Sequence, residues 1–297
     1  MQLPEALGNQ AAGLGLRGKA SSLKQHHHHA GVLLNFPEFR GLEHWEFKPN
    51  VIDKFIAWRL AAGVSPATIN GHLRVLRSAL NRAEDEQGRQ AQYPMPKIRL
   101  LKVEKKLPSV LSPAEVIKLR TAAAPHRFVA SAIDLGLMAG LRHQEILHLT
   151  WGDVDDNQVL IRGKDGWTPK NHTERAIPMH PDLSYTLFGC AVWPHRNRKS
   201  PEGPNWIFRA NDGSRLRDIG RQVRGVFEVA GLYDRLRKPG LHMLRRTWAT
   251  ELAEHTDLET LRQLGGWSDL AVMQRYITTN DERRDGAIKA LNYGVIL

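Results

Sequence analysis

The chain has 297 residues, with 42 Lys and Arg against 31 Asp and Glu and a formal net charge of +11. That length accommodates two domains, and the charge points to a polyanionic partner, nucleic acid before a membrane surface. Cys190 is the lone cysteine, which excludes an intrachain disulfide and a cysteine-based zinc site and fits a reducing compartment.

The elements follow in chain order. Residues 1–38 are rich in Gly, Ala and Gln and read as a weakly ordered N-terminal segment, with His26 to His29 an adventitious tract. A helical domain is expected over 39–96. In "VIDKFIAWRLAAG", Val51, Ile52, Phe55, Ile56 and Leu60 form one stripe that stops at Gly63. In the next helix Ser65 is the N-cap, Pro66 takes the first position and Gly88 is the stop. Ile69, Leu73, Leu76 and Leu80 are its core stripe. Beside them run Asn70, Arg74, Arg77 and Asn81, a row that suits the major groove or its phosphates and suits a solvated face equally well. Residues 97–109, with Lys97, Arg99, Lys102, Lys105 and Lys106, read as a basic linker able to lie along a phosphate backbone.

A second domain, 110–297, opens with a capping box from Ser112 to Glu115. Helices continue through 126–150. Strands over 158–163 and 175–180 flank a polar connection, 205–209 adds a further strand, and helices resume from about 216 to 290. The run 128–141 carries Asp134 and is too short to span a bilayer, and no signal pattern opens the chain, so an intracellular protein is expected. The fold class expected is mostly α (α+β): a helical domain plus a mainly helical one with a small antiparallel sheet.

Three segments of the second domain concentrate phosphate-directed side chains. In "AGLRHQEILHLTWGDVD", Arg142 stands at a helix start with Glu145 one turn on, placed to pair with a cation. The connection between the strands carries Lys164 and Lys170. In "LHMLRRTWAT", His242 and Arg245 share one helix face, and Trp267 and Tyr276 follow downstream.

Together these segments resemble the tyrosine recombinase (phage integrase) family. "GLRHQEILHLTWGDVD" looks like its first arginine box, and "LHMLRRTWATELAEHTDLETLRQLGGWSDLAVMQRY" looks like the second box through the nucleophile. "SPATINGHLRVLRSALNRA" is similar to the family's core-binding domain. The resemblance implies paired arginines Arg142 and Arg245, a hairpin lysine, Lys170, eight residues before Pro178, with Lys164 as its rival, and a nucleophile, Tyr276, nine residues after Trp267. His242 and Trp267 fill the two histidine-or-tryptophan positions, and Glu145 braces the first arginine. Arg246 stands where histidine is common, and the hairpin is longer than in many members.

The chemistry asks for these residue types on its own terms. Breaking a DNA strand without water or metal needs a side-chain nucleophile that keeps the phosphate as an ester. A phenol does this, although its ordinary pKa near 10 leaves it mostly protonated. Guanidiniums grip non-bridging oxygens and hold more tightly as charge grows there. A lysine protonates the departing 5′ oxygen, a histidine takes the phenol proton, and an indole N–H only donates a hydrogen bond. The expectation is a site-specific recombinase without cofactor or metal. It acts on double-stranded DNA in a bacterial host cytoplasm as a homotetramer on paired sites, with accessory DNA-bending proteins as possible partners. The rivals are a type IB topoisomerase-like enzyme and a non-catalytic DNA-binding regulator. Ile288, Leu291, Val295 and Ile296 make a terminal apolar stripe that either packs on its own domain or docks on a neighbouring protomer.

Overall fold

The computed structural model describes residues 1–16, 20–87, 97–104, 109–170, 174–189, 204–236, 239–269 and 273. The chain divides into two compact units, Met1–Lys106 and Leu107–Leu297. Both are chiefly helical, and among the described residues the only regular sheet is one antiparallel pair of strands.

The first unit contains α1 (Leu3–Leu16), α2 (Ala20–Leu34), α3 (Pro49–Ala61) and α4 (Pro66–Gln87). On α4 the stripe Ile69, Leu73, Leu76 and Leu80 is fully buried. Proline is tolerated at the start of α3 and α4 because the first-turn N–H groups have no intrahelical acceptor. On α3, Ile52 and Phe55 are buried, while Leu60 is 47% exposed. At about 100° per residue, Leu60 sits roughly 140° round the helix from Phe55 and off the stripe. Phe39 and Phe55 stack at 5.2 Å, and Phe36 meets Phe39 edge-on at 4.9 Å, so offset aromatic packing forms the middle of this core.

The N-terminal segment corrects the expectation of weak order. Leu3, Ala6 and Leu7 are buried on α1, and α1 and α2 both pack against α4. The histidine tract belongs to that packing. His26 and His29, one turn apart, face inward; His26 Nε2 lies 3.0 Å from Gln10 Oε1, and His29 Nδ1 lies 2.9 Å from His72 Nδ1 of α4. Gly71 lets the helices approach, since a Cβ there would sit 2.9 Å from the His29 ring. Composition alone hid this, because small residues and histidine bury readily when a partner helix offers a matching face.

His72 is fully buried, and its Nε2 has no hydrogen-bond partner among the described residues. Burial first, then the charges of His29, Arg59 and His28, hold its pKa down at about 4 from an ordinary 6.5. The folded chain therefore resists a proton that the unfolded chain accepts, so the stability is complete above pH 6.5 and is lost as pH falls from there to 4. A gap of about 2.5 units corresponds to about 3 kcal/mol. Denaturant titrations at pH 7.5 and 4.5 should show a loss of that order, and His72→Phe should flatten the dependence.

Asn70 is likewise corrected. It is buried, its Nδ2 donates to Leu101 O at 2.9 Å and its Oδ1 accepts from Leu101 N at 2.8 Å. Both ends of the carboxamide are spent on the backbone, so no base edge can use them. With Ile98 in the same core, these bonds fasten part of the expected linker to the first unit. Arg74, Arg77 and Asn81 do face solvent on α4 and, with Arg82 and Gln10, line a groove of about 500 Å³. Lys102 is exposed, whereas Lys105 and Lys106 lie outside the described residues.

The second unit runs α5 (Pro113–Ala123), α6 (Arg127–Met138), α7 (His143–Leu147), β1 (Gln158–Ile161), β2 (Arg175–Pro178), α8 (Pro181–Ser184), α9 (Gly220–Val229), α10 (Leu241–His255) and α11 (Leu258–Gly265). The Ser112 capping box forms: Ser112 Oγ accepts from Glu115 N, and Ser112 N donates to Glu115 Oε2 at 2.9 Å. Central α10 packs on α6, and α5 packs on α6 and α9. In the antiparallel pair Val159 opposes Ile177, both buried, and Ile161 opposes Arg175. The strand expected over 205–209 is reduced to isolated bridges, Thr150 with Trp206 and Arg209 with Arg215. Among the described residues no helix is long and apolar enough to cross a membrane, and no three His, Cys, Asp or Glu side chains gather to hold a metal ion.

Candidate active site

The start of α10 explains why a histidine and an arginine sit one turn apart among apolar side chains. Leu241, Leu244 and Trp248 face the core as their spacing requires, yet Arg245 is buried among them at 1% exposure. Its Nη1 donates to Gly140 O, its Nη2 donates to Gly265 O at 2.5 Å, and its guanidinium carbon lies 4.4 Å from the Trp267 ring centre. Carbonyls and an aromatic face thus replace the water this cation has given up. Both residues that offer these accepting carbonyls must be glycine. Gly140 has φ +61° and its Cβ would strike the Trp248 ring, while a Cβ on Gly265 would strike Trp267.

Glu145 is the second centre, with its side chain 1% exposed. Its carboxylate accepts from Arg142 N at 2.9 Å and Arg142 Nη1 at 2.7 Å. It also accepts from Arg175 Nη1 at 3.1 Å and Nη2 at 2.7 Å, with Arg245 Nη1 4.0 Å away. The end of α11 is the third. Carbonyls of a helix's last turn have no intrahelical donor and carry the negative end of its dipole. Here Leu264 O accepts from Arg175 Nε at 2.8 Å, Gly265 O from Arg245, and Gly266 O from Arg142 Nη2 at 2.9 Å. Three successive carbonyls each hold one arginine.

His242 is exposed on one side. The protein packed round it desolvates the ring, and Arg246, Arg245, Arg142 and Lys170 add positive charge, so its pKa is held below 6.5. The ring is neutral at pH 7 and free to accept a proton. Of the six expected residues, Arg142, Lys170 and Arg245 thus act on His242 electrostatically, and Arg142 and Arg245 also meet at Glu145 and the end of α11. Trp267 joins them through Arg245 and stacks on Trp248 at 6.2 Å, with 7% exposure. Tyr276 and the terminal apolar stripe lie outside the described residues.

The two hairpin lysines part company. Lys164 Nζ pairs with Asp153, whose buried carboxylate also accepts from Thr150 and from Arg162 Nε at 2.7 Å. Its backbone pairs both ways with Trp167 at 2.9 Å, and Trp167 stacks on His148 at 4.3 Å. Lys164 is thereby held in a structural turn. Lys170 is exposed and near enough to act on His242.

Arg175 escaped the sequence reading. Its signal was present: in "RAIP" it stands two residues before Ile177, so a cation lies on the buried face of β2 and requires a buried carboxylate.

The phage integrase family model matches residues 106–283. The chain is 26% identical over 229 residues to a tyrosine recombinase XerC of Xanthomonas campestris pv. campestris, covering 75% of this chain and 67% of that one. It is 33% identical over 153 residues to the prophage integrase IntF of Escherichia coli, covering 50% and 30%. Among solved structures, the Tn1549 transposon integrase in complex with transposon right end DNA is similar in fold, with a TM-score of 0.75 at 20% identity over 98% of this chain and 99% of that one. A lambda integrase dimer bound to a COC′ core site gives a TM-score of 0.68 at 20% identity over 92% and 97%. The chain belongs to the phage integrase family, the tyrosine-type site-specific DNA recombinases.

Proposed function

We propose that this recombinase integrates or excises a phage or related mobile element through a 3′-phosphotyrosine on Tyr276. The observation that carries the reading is the gathering of Arg142 and Arg245 round the Glu145 carboxylate and the last carbonyls of α11, one helical turn from His242. The Tyr276 oxygen attacks the scissile phosphorus, and His242 takes its proton. The bond to the 5′ oxygen breaks, and Lys170 protonates that leaving oxygen. Arg142 from the edge of the site, and Arg245 from beneath it, supply positive charge to the non-bridging oxygens. That charge counts for more as the pentacoordinate state gathers negative charge. The 5′ hydroxyl of a second duplex then reverses the step. The ester conserves the bond energy, so the scheme calls for neither ATP nor metal.

Arg74, Arg77, Asn81, Lys102, Lys105 and Lys106 serve the DNA backbone and groove in this reading. A homotetramer on two sites, a terminal apolar stripe that docks between protomers, accessory DNA-bending proteins and a cytoplasmic setting complete it. The experiment is to incubate the protein with its two flanking genomic sites on separate labelled duplexes. Recombinant duplexes are expected. Relaxation of supercoils without any recombinant would favour a topoisomerase-like role instead.

A further inference from the structure

We infer that Arg175 is a positioning residue, fixing the hairpin arm that carries Lys170 against Glu145 and the end of α11. The inference rests on the phosphotyrosine reading above and adds a residue to its machinery. Every nitrogen of the Arg175 guanidinium is used: both terminal nitrogens on Glu145, and Nε on Leu264 O. Its side chain is 6% exposed and that of Glu145 1%, so the planar fork is held on two sides in a dry setting. The approach is close enough that Gly266, at φ +59°, would press a Cβ against this guanidinium at 2.9 Å.

Arg175 shares its carboxylate with the arginine pair, and its carbonyl is the neighbour of theirs. Glu145 also braces Arg142, and Leu264 immediately precedes the carbonyls of Gly265 and Gly266 that take Arg245 and Arg142. Lys170 lies five residues before Arg175 in the sequence. One side chain thus sets the distance between the residue that protonates the leaving group and the residues that hold the phosphate. Lysine cannot replace it, because an ammonium has no planar fork to span two carboxylate oxygens and a carbonyl together.

The test compares Arg175→Lys and Arg175→Gln with the unsubstituted full chain on nicked suicide DNA. One substrate carries an ordinary 5′ bridging oxygen at the cut and the other a bridging sulfur, whose thiolate departs without a proton. A misplaced lysine harms the oxygen substrate far more than the sulfur one. Adduct formation on oxygen is expected to fall about a hundredfold, and on sulfur by about tenfold at most. A general structural defect lowers both together, so an unchanged sulfur-to-oxygen ratio would overturn the proposal. If Arg175→Gln does not fold, the ratio for Arg175→Lys, which keeps the charge, decides. Absence of any adduct from the unsubstituted chain on either substrate would instead overturn the phosphotyrosine reading.

Discussion

Replacing Glu145 by glutamine should destabilise the second unit by about 3–5 kcal/mol, the range for removing one partner of a buried ionic group. The reason is local crowding of charge. Arg175, Arg142 and, at 4.0 Å, Arg245 gather round one carboxylate with 1% exposure, and a neutral amide leaves them facing one another. Burial pushes the Glu145 carboxyl up, but the hydrogen bonds and charge of Arg175, followed by Arg142, outweigh it and hold the pKa at about 2, against an ordinary 4.5. A depressed carboxylate adds stability that is complete above pH 4.5 and is lost as pH falls toward 2. The 2.5-unit gap corresponds to about 3 kcal/mol, in line with the expected cost of the substitution. Denaturation of the parent and Glu145→Gln proteins should show the full difference at pH 7 and a narrowing one below pH 4.5. A difference that stays constant down to pH 3 would mean that the carboxylate's charge is not what holds this cluster.

Lys170→Ala should lower cleavage of ordinary DNA by about 10²–10⁴-fold, the usual range for losing a general acid. On DNA with sulfur at the 5′ bridging position the same protein should approach the parent's rate, because the leaving thiolate needs no proton. Lys164→Ala should behave differently. Its ammonium pairs with the Asp153 carboxylate, whose side chain is wholly buried, so its loss should lower the melting temperature and slow both substrates alike. Rescue by sulfur in Lys164→Ala, and not in Lys170→Ala, would move the catalytic role to the other lysine.

Spacing in the sequence was a good guide wherever a single element decided the outcome. The α4 stripe, the Ser112 capping box, the Arg142–Glu145 pair and the paired strands all follow from periodicity or capping over a few residues. What stayed hidden depends on partners distant in the chain. Asn70 looks like a groove reader until Leu101 takes both ends of its carboxamide. The histidine tract looks adventitious until His72 meets it across two helices. Arg175 looks like a surface cation until Glu145, 30 residues earlier, and Leu264, 89 residues later, close on it. Arg245 was expected from spacing, but its burial on the carbonyls of Gly140 and Gly265 was not, because a linear pattern does not show where a backbone carbonyl will point.

The central claim is that Tyr276 carries the DNA. The direct measurement is covalent trapping on a nicked suicide substrate, where the short fragment diffuses away and the ester cannot be reversed. The parent chain should give a protein–DNA band resistant to denaturation, and proteolysis with mass analysis should place the nucleotide on the peptide that contains Tyr276. Tyr276→Phe should bind the same DNA in a gel shift and give no such band, since a phenyl ring has no oxygen to attack phosphorus. A covalent band of normal intensity from Tyr276→Phe, or an adduct mapped to another residue, would contradict the account.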